Sequence, residues 1–454
     1  MQDKNNLSPI LINNLCDSFK NNNKVKPEQY IKYGVKKGLR NADGTGVLAG
    51  MTGISNVHGY IINEGERQPI EGRLTYRGYD IYSLLNGFQD ENRFGFEEVS
   101  YLLLSGSLPN KEQLNTFIGA ISDSRSLPHN FTEDVIMRAP SKDLMNKLAA
   151  SILALYSYDP NPDDISLENI MRQSIELLAK IPVIVSHSYQ AKRRYYDGAS
   201  MFLHVPLEDK SCAENILHLI RPNGEFMMEE AKLLDRCLVL HAEHGGGNNS
   251  AFATRVVSSS GSDTYSAIAA AVGSLKGPRH GGANLRVMKM FDDMLEKIDD
   301  VSDDKKIYDY LVEVLKKEAN DKSGLIYGMG HAVYTLSDPR TVALKETAIP
   351  LAKELGYERE FIIREAVERI APQAYFDLKG EEKVMCANVD MYSGLVYKML
   401  DIPPEMFTPL FAAARIVGWM AHRLEEAAFS KKIMRPAYKP MSKDTEYIPI
   451  AKRQ

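Results

Sequence analysis

From about residue 96 onward, apolar positions recur with the helical period. Leu144, Leu148 and Leu155 share one face of Ser141–Tyr156, with Ser141 placed as an N-cap. Ile165–Arg194 predicts another long helix, in which Pro182 should introduce a kink or a break. Met227, Ala231, Leu234, Leu238 and His241 step by four, three, four and three, which is one helical stripe. The glycines 245–247 must end it. Thr264–Leu275 is rich in small residues (Ala267, Ala269, Ala270, Ala271, Gly273) and suits close packing against a neighbour. Phe407, Leu410, Ala414, Val417, Ala421 and Leu424 mark a late helix, Glu405 to about Ala428. The mixed-charge stretch Asp299–Lys317 predicts a solvated helix surface.

The first 80 residues read differently. Residues 1–40 are polar and Lys/Asn-rich around Ile10, Leu11 and Ile12, which predicts a loose or helical arm. In residues 41–80 glycine recurs beside the β-prone runs Gly46–Leu48, His58–Ile62 and Arg73–Tyr76, so small strands or turns are expected there. Strands do not alternate with helices along the chain, which argues against a doubly wound sheet. No repeat of 20–50 residues and no sustained heptad run is present. The expected class is mainly α.

Composition narrows the class of function. A chain of 454 residues has room for two or three domains and a large core without disulfides. The 55 Lys and Arg against 60 Asp and Glu leave a net charge of −5, so nothing draws the whole molecule to nucleic acid or an anionic membrane. Cys16, Cys212, Cys237 and Cys386 form no CxxC pair, which favours a reducing compartment. Met1–Asn14 lacks the basic and apolar regions of a signal peptide, and no apolar run reaches the ~18 residues of a membrane helix. A cytoplasmic protein is expected, without a nucleic-acid or membrane partner.

Four of the ten histidines fall beside glycines or at helix ends. His241 and His244 lie in LHAEHGGGNNS, His280 in KGPRHGGAN, and His331 in YGMGHAVY. Glycine neighbours let a ligand approach the imidazole and backbone closely. Residues Gly44–Gly50 miss the dinucleotide fingerprint by one position, and Gly273–His280 lacks a phosphate-loop ending. HAEH is not HExxH, although two histidines at i, i+3 can chelate a metal. Asp390, just after Asn388, also suits a helix N-cap.

Taken together, these segments resemble the citrate synthase family from about Gly38 to Pro449. The matching pieces, in order, are GLRNADGTGVLAGMT, EGRLTYRGYDI, HAEHGGGNNS, GPRHGGAN, GMGHAVYTLSDPR, NVDMYSG, ARIVGWMAHRLEE and MRPAY. The resemblance implies an all-α, two-domain helical fold with a few short strands near the N-terminus. It implies an arm at 1–37, a large domain at 38–284, a small closing domain at 285–395, and a return to the large domain with a C-terminal arm at 396–454. The implied activity is condensation of acetyl-CoA with oxaloacetate and hydrolysis of citryl-CoA to citrate and CoA, an acyltransferase reaction that converts acyl to alkyl on transfer within the tricarboxylic acid cycle.

By the same resemblance, Asp390 is the base, His280 stabilises the enolate and His331 is the second acid. His244, Arg340, Arg415 and Arg435 hold oxaloacetate. Backbone of Leu325, Ile326, Tyr327, Gly328, Met329 and Gly330 meets CoA. Arg435 is expected to reach the other subunit of a homodimer. Acetyl-CoA is a substrate, so neither cofactor nor metal is implied. The chain departs from common family residues at Ala332 (often Arg), Arg279, Ala387 and Met391, and Ala332 puts one CoA contact in question. A 2-methylcitrate synthase using propionyl-CoA would place the same residues in the same roles. A metallohydrolase built on His241, His244, His331 and Asp390, and a non-catalytic helical scaffold, are the alternatives from other classes.

Overall fold

The computed structural model describes residues 8–22, 26–41, 43–380, 384–430, 432–442 and 444–453. Contacts divide the chain into two compact units: Gly50–Met434, and Met1–Ala49 together with Arg435–Gln454. In the second of these, the expected arm is helical where described, with α1 (Pro9–Asn22) and α2 (Pro27–Lys32). Residues 1–7 and 23–25 of the expected arm lie outside the described residues. The run Gly46–Leu48 forms no strand; its pairing is the single bridge from Arg40 to Gly46.

Gly50–Met434 opens with a small antiparallel sheet of β1 (Ser55–Asn63), β2 (Glu66–Tyr76) and β3 (Tyr79–Asp80). The rest is helical: α3 (Ile81–Asp90), α4 (Phe96–Ser105), α5 (Lys111–Asp123), α6 (Leu144–Leu155), α7 (Leu167–Tyr196), α8 (Cys212–Ile220), α9 (Met228–His241), α10 (Asn249–Ser258), α11 (Thr264–Lys276), α12 (Ala283–Lys297), α13 (Asp304–Lys316), α14 (Pro339–Glu354), α15 (Glu358–Lys379), α16 (Asp390–Met399) and α17 (Phe407–Phe429). The all-α expectation with a few N-terminal strands holds.

Helix α17 is the axis of the core. It packs against α4, α6, α7, α9, α10 and α11, and its Trp419 is fully buried. Apolar side chains encircle it, as burial on all sides requires. Helix α11 lies close against α10 and α6, the use its small residues suggested. Pro182 does not break α7, which runs unbroken for 30 residues. It is buried in a helix that packs against α8 and α17, and tertiary packing outweighs the lost hydrogen bond.

Two helix starts also differ from the pattern. The cap of α6 is Asp143, whose Oδ1 accepts from the Asn146 amide at 2.8 Å; Ser141 Oγ instead accepts from the Asp143 amide at 3.1 Å. α17 begins at Phe407, after a 3₁₀ turn over Pro404–Met406. The charged stretch at 299–317 exposes one face of α13 and buries Ile307, Tyr310, Leu311, Val314 and Leu315 on the other.

Candidate active site

The end of α9 delivers the first histidines. After His241 the chain turns through Gly245, whose φ of 87° favours glycine. Between the histidines, Glu243 is buried completely. Its Oε1 accepts from Ser55 Oγ at 2.9 Å, the Gly245 amide at 2.6 Å and His422 Nε2 at 2.9 Å. Arg255 Nη1 stands 3.3 Å from His422 Nδ1. A guanidinium can only donate, so Nδ1 accepts and Nε2 carries the proton given to Glu243. Burial pushes the Glu243 carboxyl up, but His422, Arg415 and Ser55 outweigh it and bring it down to about 2. Glu243 is a fixed anion tying the His244 turn to β1 and α17.

His280 precedes α12. Its Nε2 lies 3.1 Å from Asn248 Oδ1 and 3.2 Å from Ser250 Oγ, and Ser250 Oγ accepts from Trp419 Nε1 at 3.0 Å. Burial, aided by Arg415, lowers the imidazole to about 4, so it is neutral at pH 7.

A backbone zipper joins the segments that lead into His331 and Asp390. The Gly330 amide donates to Cys386 O at 2.7 Å, the Asn388 amide to Gly328 O at 2.9 Å, and Asn388 Nδ2 to Gly330 O at 2.9 Å. Gly328 has a φ of 86°, and a methyl there would sit 3.1 Å from Met391 Cε. Val389 stands at the N-cap of α16 and Asn388 Oδ1 accepts from the Asp390 amide at 3.1 Å; Asp390 is the first residue of the helix, not its cap. Burial raises the Asp390 carboxyl to about 6, opposed by Arg340 and assisted by Asp338.

His331 Nδ1 accepts from the amides of Val333 at 3.1 Å and Tyr334 at 3.0 Å, so the ring proton resides on Nε2. The ring stacks on Tyr334 with centroids 4.6 Å apart and meets His244 edge-on at 5.1 Å. His244 Nε2 lies 3.3 Å from the Tyr334 hydroxyl. Burial, reinforced by Arg340, His331, Arg415 and His280, holds His244 well below the usual histidine range.

The two arginines differ. Arg340 is buried and paired with buried Asp338, Nε to Oδ1 at 3.0 Å and Nη2 to Oδ2 at 2.7 Å, which raises its already high pKa. Arg415, equally buried, donates Nε to His241 O at 2.6 Å and lies 4.8 Å over the Phe411 ring. Its Nη1 and Nη2 are buried with no acceptor. Burial lowers it to about 10, so it remains a cation at pH 7. A buried cation with two idle donors calls for an anion.

The hairpin of β1 and β2 braces the His331–Arg340 loop. Its pairing is interrupted between His58 and Tyr60. There Thr335 Oγ1 donates to Gly59 O and, at 3.1 Å, to Ile70 O, while the Gly72 amide donates to Ser337 Oγ at 3.1 Å. A methyl on Gly72 would lie 2.2 Å from Ser337 O and 2.9 Å from Pro339 Cδ. Gly72→Ala is therefore expected to cost ~1–3 kcal/mol, read by urea unfolding, because the loop must shift to admit it. An unchanged midpoint would show that the hairpin is not seated as described.

The structure thus gathers His244, His331 and Arg340 around Tyr334, and charge couples His244 to His280 and Arg415, and Asp390 to Arg340. His241 is buried in packing, 4.6 Å from Phe411 and 6.4 Å from Tyr397. In the segment Leu325–Gly330, Leu325 is exposed, Ile326 is buried, and the Tyr327 hydroxyl lies 2.8 Å from Arg286 Nη1. Arg435 is exposed and belongs to the other unit. Among the described residues no group of three His, Cys, Asp or Glu is placed to hold a metal ion, which leaves the four-residue metal set without a site. No helix among them is long and apolar enough to cross a membrane. Glu243, Asn248, Ser250, Tyr334, Asp338 and His422 were not singled out from sequence, although each lies inside a quoted motif.

Neutral imidazoles, a carboxyl poised near 6 and arginines buried to receive an anion define an enzyme for proton transfer on a small carboxylate-bearing molecule. Comparison with known proteins makes the class definite. A family model described as citrate synthase, C-terminal domain, matches residues 42–437. The citrate synthase of Synechocystis is 33% identical, over 90% of this chain and 92% of its own. The 2-methylcitrate synthase of Shewanella oneidensis is also 33% identical, over 84% and 92%. The crystal structure of citrate synthase from Pyrobaculum aerophilum superposes with a TM-score of 0.72 at 31% identity, covering 90% of this chain and 94% of that one. The chain belongs to the citrate synthase family, and its enzyme class is the acyltransferase of citrate synthase type.

Proposed function

We propose that the protein is a citrate synthase, condensing acetyl-CoA with oxaloacetate and releasing citrate and CoA. The observation that supports this reading is a linked set: charge couples Asp390 to Arg340 and His280 to Arg415, and His331 stacks on Tyr334, over which Arg340 also lies. Arg415 offers two idle donors to one carboxylate; Arg340, held by Asp338, and His244 supply further contacts. Asp390, largely ionised above pH 6, takes a proton from the thioester methyl. His280, neutral at pH 7 and set against Asn248 and Ser250, is assigned to the enolate oxygen. The enolate carbon attacks the ketone carbon of oxaloacetate, and His331 Nε2–H protonates the resulting alkoxide. Water then cleaves the citryl thioester and CoA leaves.

In this reading residues 285–395 form the small closing domain and 38–284 the large one, with 396–454 a return to the large domain and a C-terminal arm. The Leu325–Gly330 backbone, zippered to the segment before Asp390, brings CoA to the base. The enzyme works as a homodimer in which the partner subunit's Arg435 completes the oxaloacetate site, and no cofactor is required. The four cysteines are unpaired, which fits a cytoplasmic setting.

The test is thiol release by purified protein with oxaloacetate and either acetyl-CoA or propionyl-CoA. Faster release from acetyl-CoA is expected. Faster release from propionyl-CoA would assign a 2-methylcitrate synthase, the activity of relatives equally similar to this chain. His280→Ala is expected to reduce kcat ~10²–10³-fold, the usual cost of removing an oxyanion donor. Full activity in that variant would overturn the assignment of His280.

A further inference from the structure

Two catalytic groups sit at helix starts: His280 just before α12, and Asp390 as the first residue of α16. Their separation depends on how these helices are locked together. One direct tie is Asn284 Nδ2 to Ser393 Oγ at 2.6 Å. The helices also approach closely at Gly394, where a methyl would meet Asn284 Oδ1 at 2.3 Å and Met288 Cγ at 2.8 Å.

A third helix closes this joint. Arg364 of α15 is almost completely buried, at 1% exposure. Its Nε donates to the Met391 carbonyl at 2.9 Å, in the first turn of α16. Its Nη2 reaches Met288 Sδ on α12 at 3.5 Å, and its Nη1 donates to Glu360 O on its own helix at 2.8 Å. The guanidinium lies 4.2 Å over the Phe291 ring, also on α12. None of these direct partners is a carboxylate; Glu360 and Asp292 act on the charge only from a distance. That is a costly way to bury an arginine, and an apolar side chain would fill the space more cheaply. The fork reaches both α12 and α16, which no aliphatic side chain does.

We propose that Arg364 is a positioning residue: it pins α16 to α12 and so fixes Asp390 relative to His280 and the methyl group between them. This rests on the reaction proposed above. Arg364 touches no reacting atom and acts through the Met391 carbonyl. Oxaloacetate is held by elements outside this joint, His244 after α9, Arg340 on α14 and Arg415 on α17.

The test compares wild type with Arg364→Met, which keeps the length and removes the fork, and Arg364→Lys, which keeps the charge with one point of attachment. Each is measured for kcat, for KM of oxaloacetate, and for the isotope effect with trideuterated acetyl-CoA, per folded protein. Arg364→Met is expected to lower kcat ~10²-fold, as a misplacement of about an ångström does. It should leave the oxaloacetate KM within about twofold and raise the isotope effect, because proton removal becomes slower than the other steps. Arg364→Lys should recover part of kcat. An unchanged kcat and isotope effect in Arg364→Met would overturn the proposal, as would a loss confined to oxaloacetate KM or to folded yield. If Arg364→Met does not fold, Arg364→Lys decides: wild-type kcat and isotope effect there overturn it, and a lowered kcat with a raised isotope effect supports it. A wild type that turns over neither acetyl-CoA nor propionyl-CoA overturns the proposed reaction and this inference with it. An active wild type keeps the two failures apart.

Discussion

Asp390→Asn is expected to lower kcat ~10³–10⁴-fold in the thiol-release assay while making the protein harder to unfold. Both effects have one cause. The half-buried carboxyl has its pKa raised to about 6 from an ordinary 3.8, chiefly by burial. A carboxyl raised in the fold binds its proton more tightly there than in the unfolded chain. Ionisation therefore costs stability: nothing below pH 3.8, an increasing amount between 3.8 and 6, and the full amount above 6. Discounting for its contact with water, that amount is about 2 kcal/mol. The amide carries no charge, so the gain in Tm should be complete at pH 7.5 and fade toward pH 4. The same proton governs the wild-type rate. Below pH 6, kcat/KM should fall about tenfold per pH unit as the base fills. His280, neutral down to about pH 4, adds no limb in this range. An Asn variant with lost activity and an unchanged or lower Tm at pH 7.5 would refute the strained-base account.

Much of this was readable from the residues. The stripe Met227–His241 gave α9, the small-residue run gave α11, and the apolar run after Phe407 gave the central helix. Of the glycine-flanked histidines, His244 and His331 meet edge-on beside Tyr334, and glycine serves where the chain packs closely, as at Gly328 against the Met391 side chain. What was not readable depends on partners distant in sequence. Pro182 sits in an unbroken helix because neighbouring helices hold it there. Glu243 looks like one more charged residue at a helix end until His422, Ser55 and the Gly245 amide converge on it. Gly72 and Thr335, 263 residues apart, matter only because the hairpin lies against the loop. Local pattern fixes periodicity; it does not say which buried charge has an acceptor.

That last distinction separates the two buried arginines and gives the second large effect. Arg415→Met is expected to weaken oxaloacetate binding ~10²–10⁴-fold, since two charge-assisted hydrogen bonds of ~1.5–3 kcal/mol each are lost. It should do so without unfolding the protein. The idle Nη1 and Nη2 contribute nothing to the empty site, and the cation has its pKa lowered to about 10 from 12.5, so its burial already costs stability at pH 7. Removing it relieves that cost and offsets the loss of the Nε bond to His241 O. Arg340→Met is the contrast: it strands buried Asp338 and should cost ~3–5 kcal/mol before any ligand is added. Thermal shift reads both. At about 100 Kd of oxaloacetate, wild type gains ~2.7 kcal/mol, whereas Arg415→Met at the same concentration gains well under 1 kcal/mol. A full oxaloacetate shift in Arg415→Met would mean that the idle donors do not receive the substrate carboxylate. The proposed reaction would then need its anion anchored elsewhere.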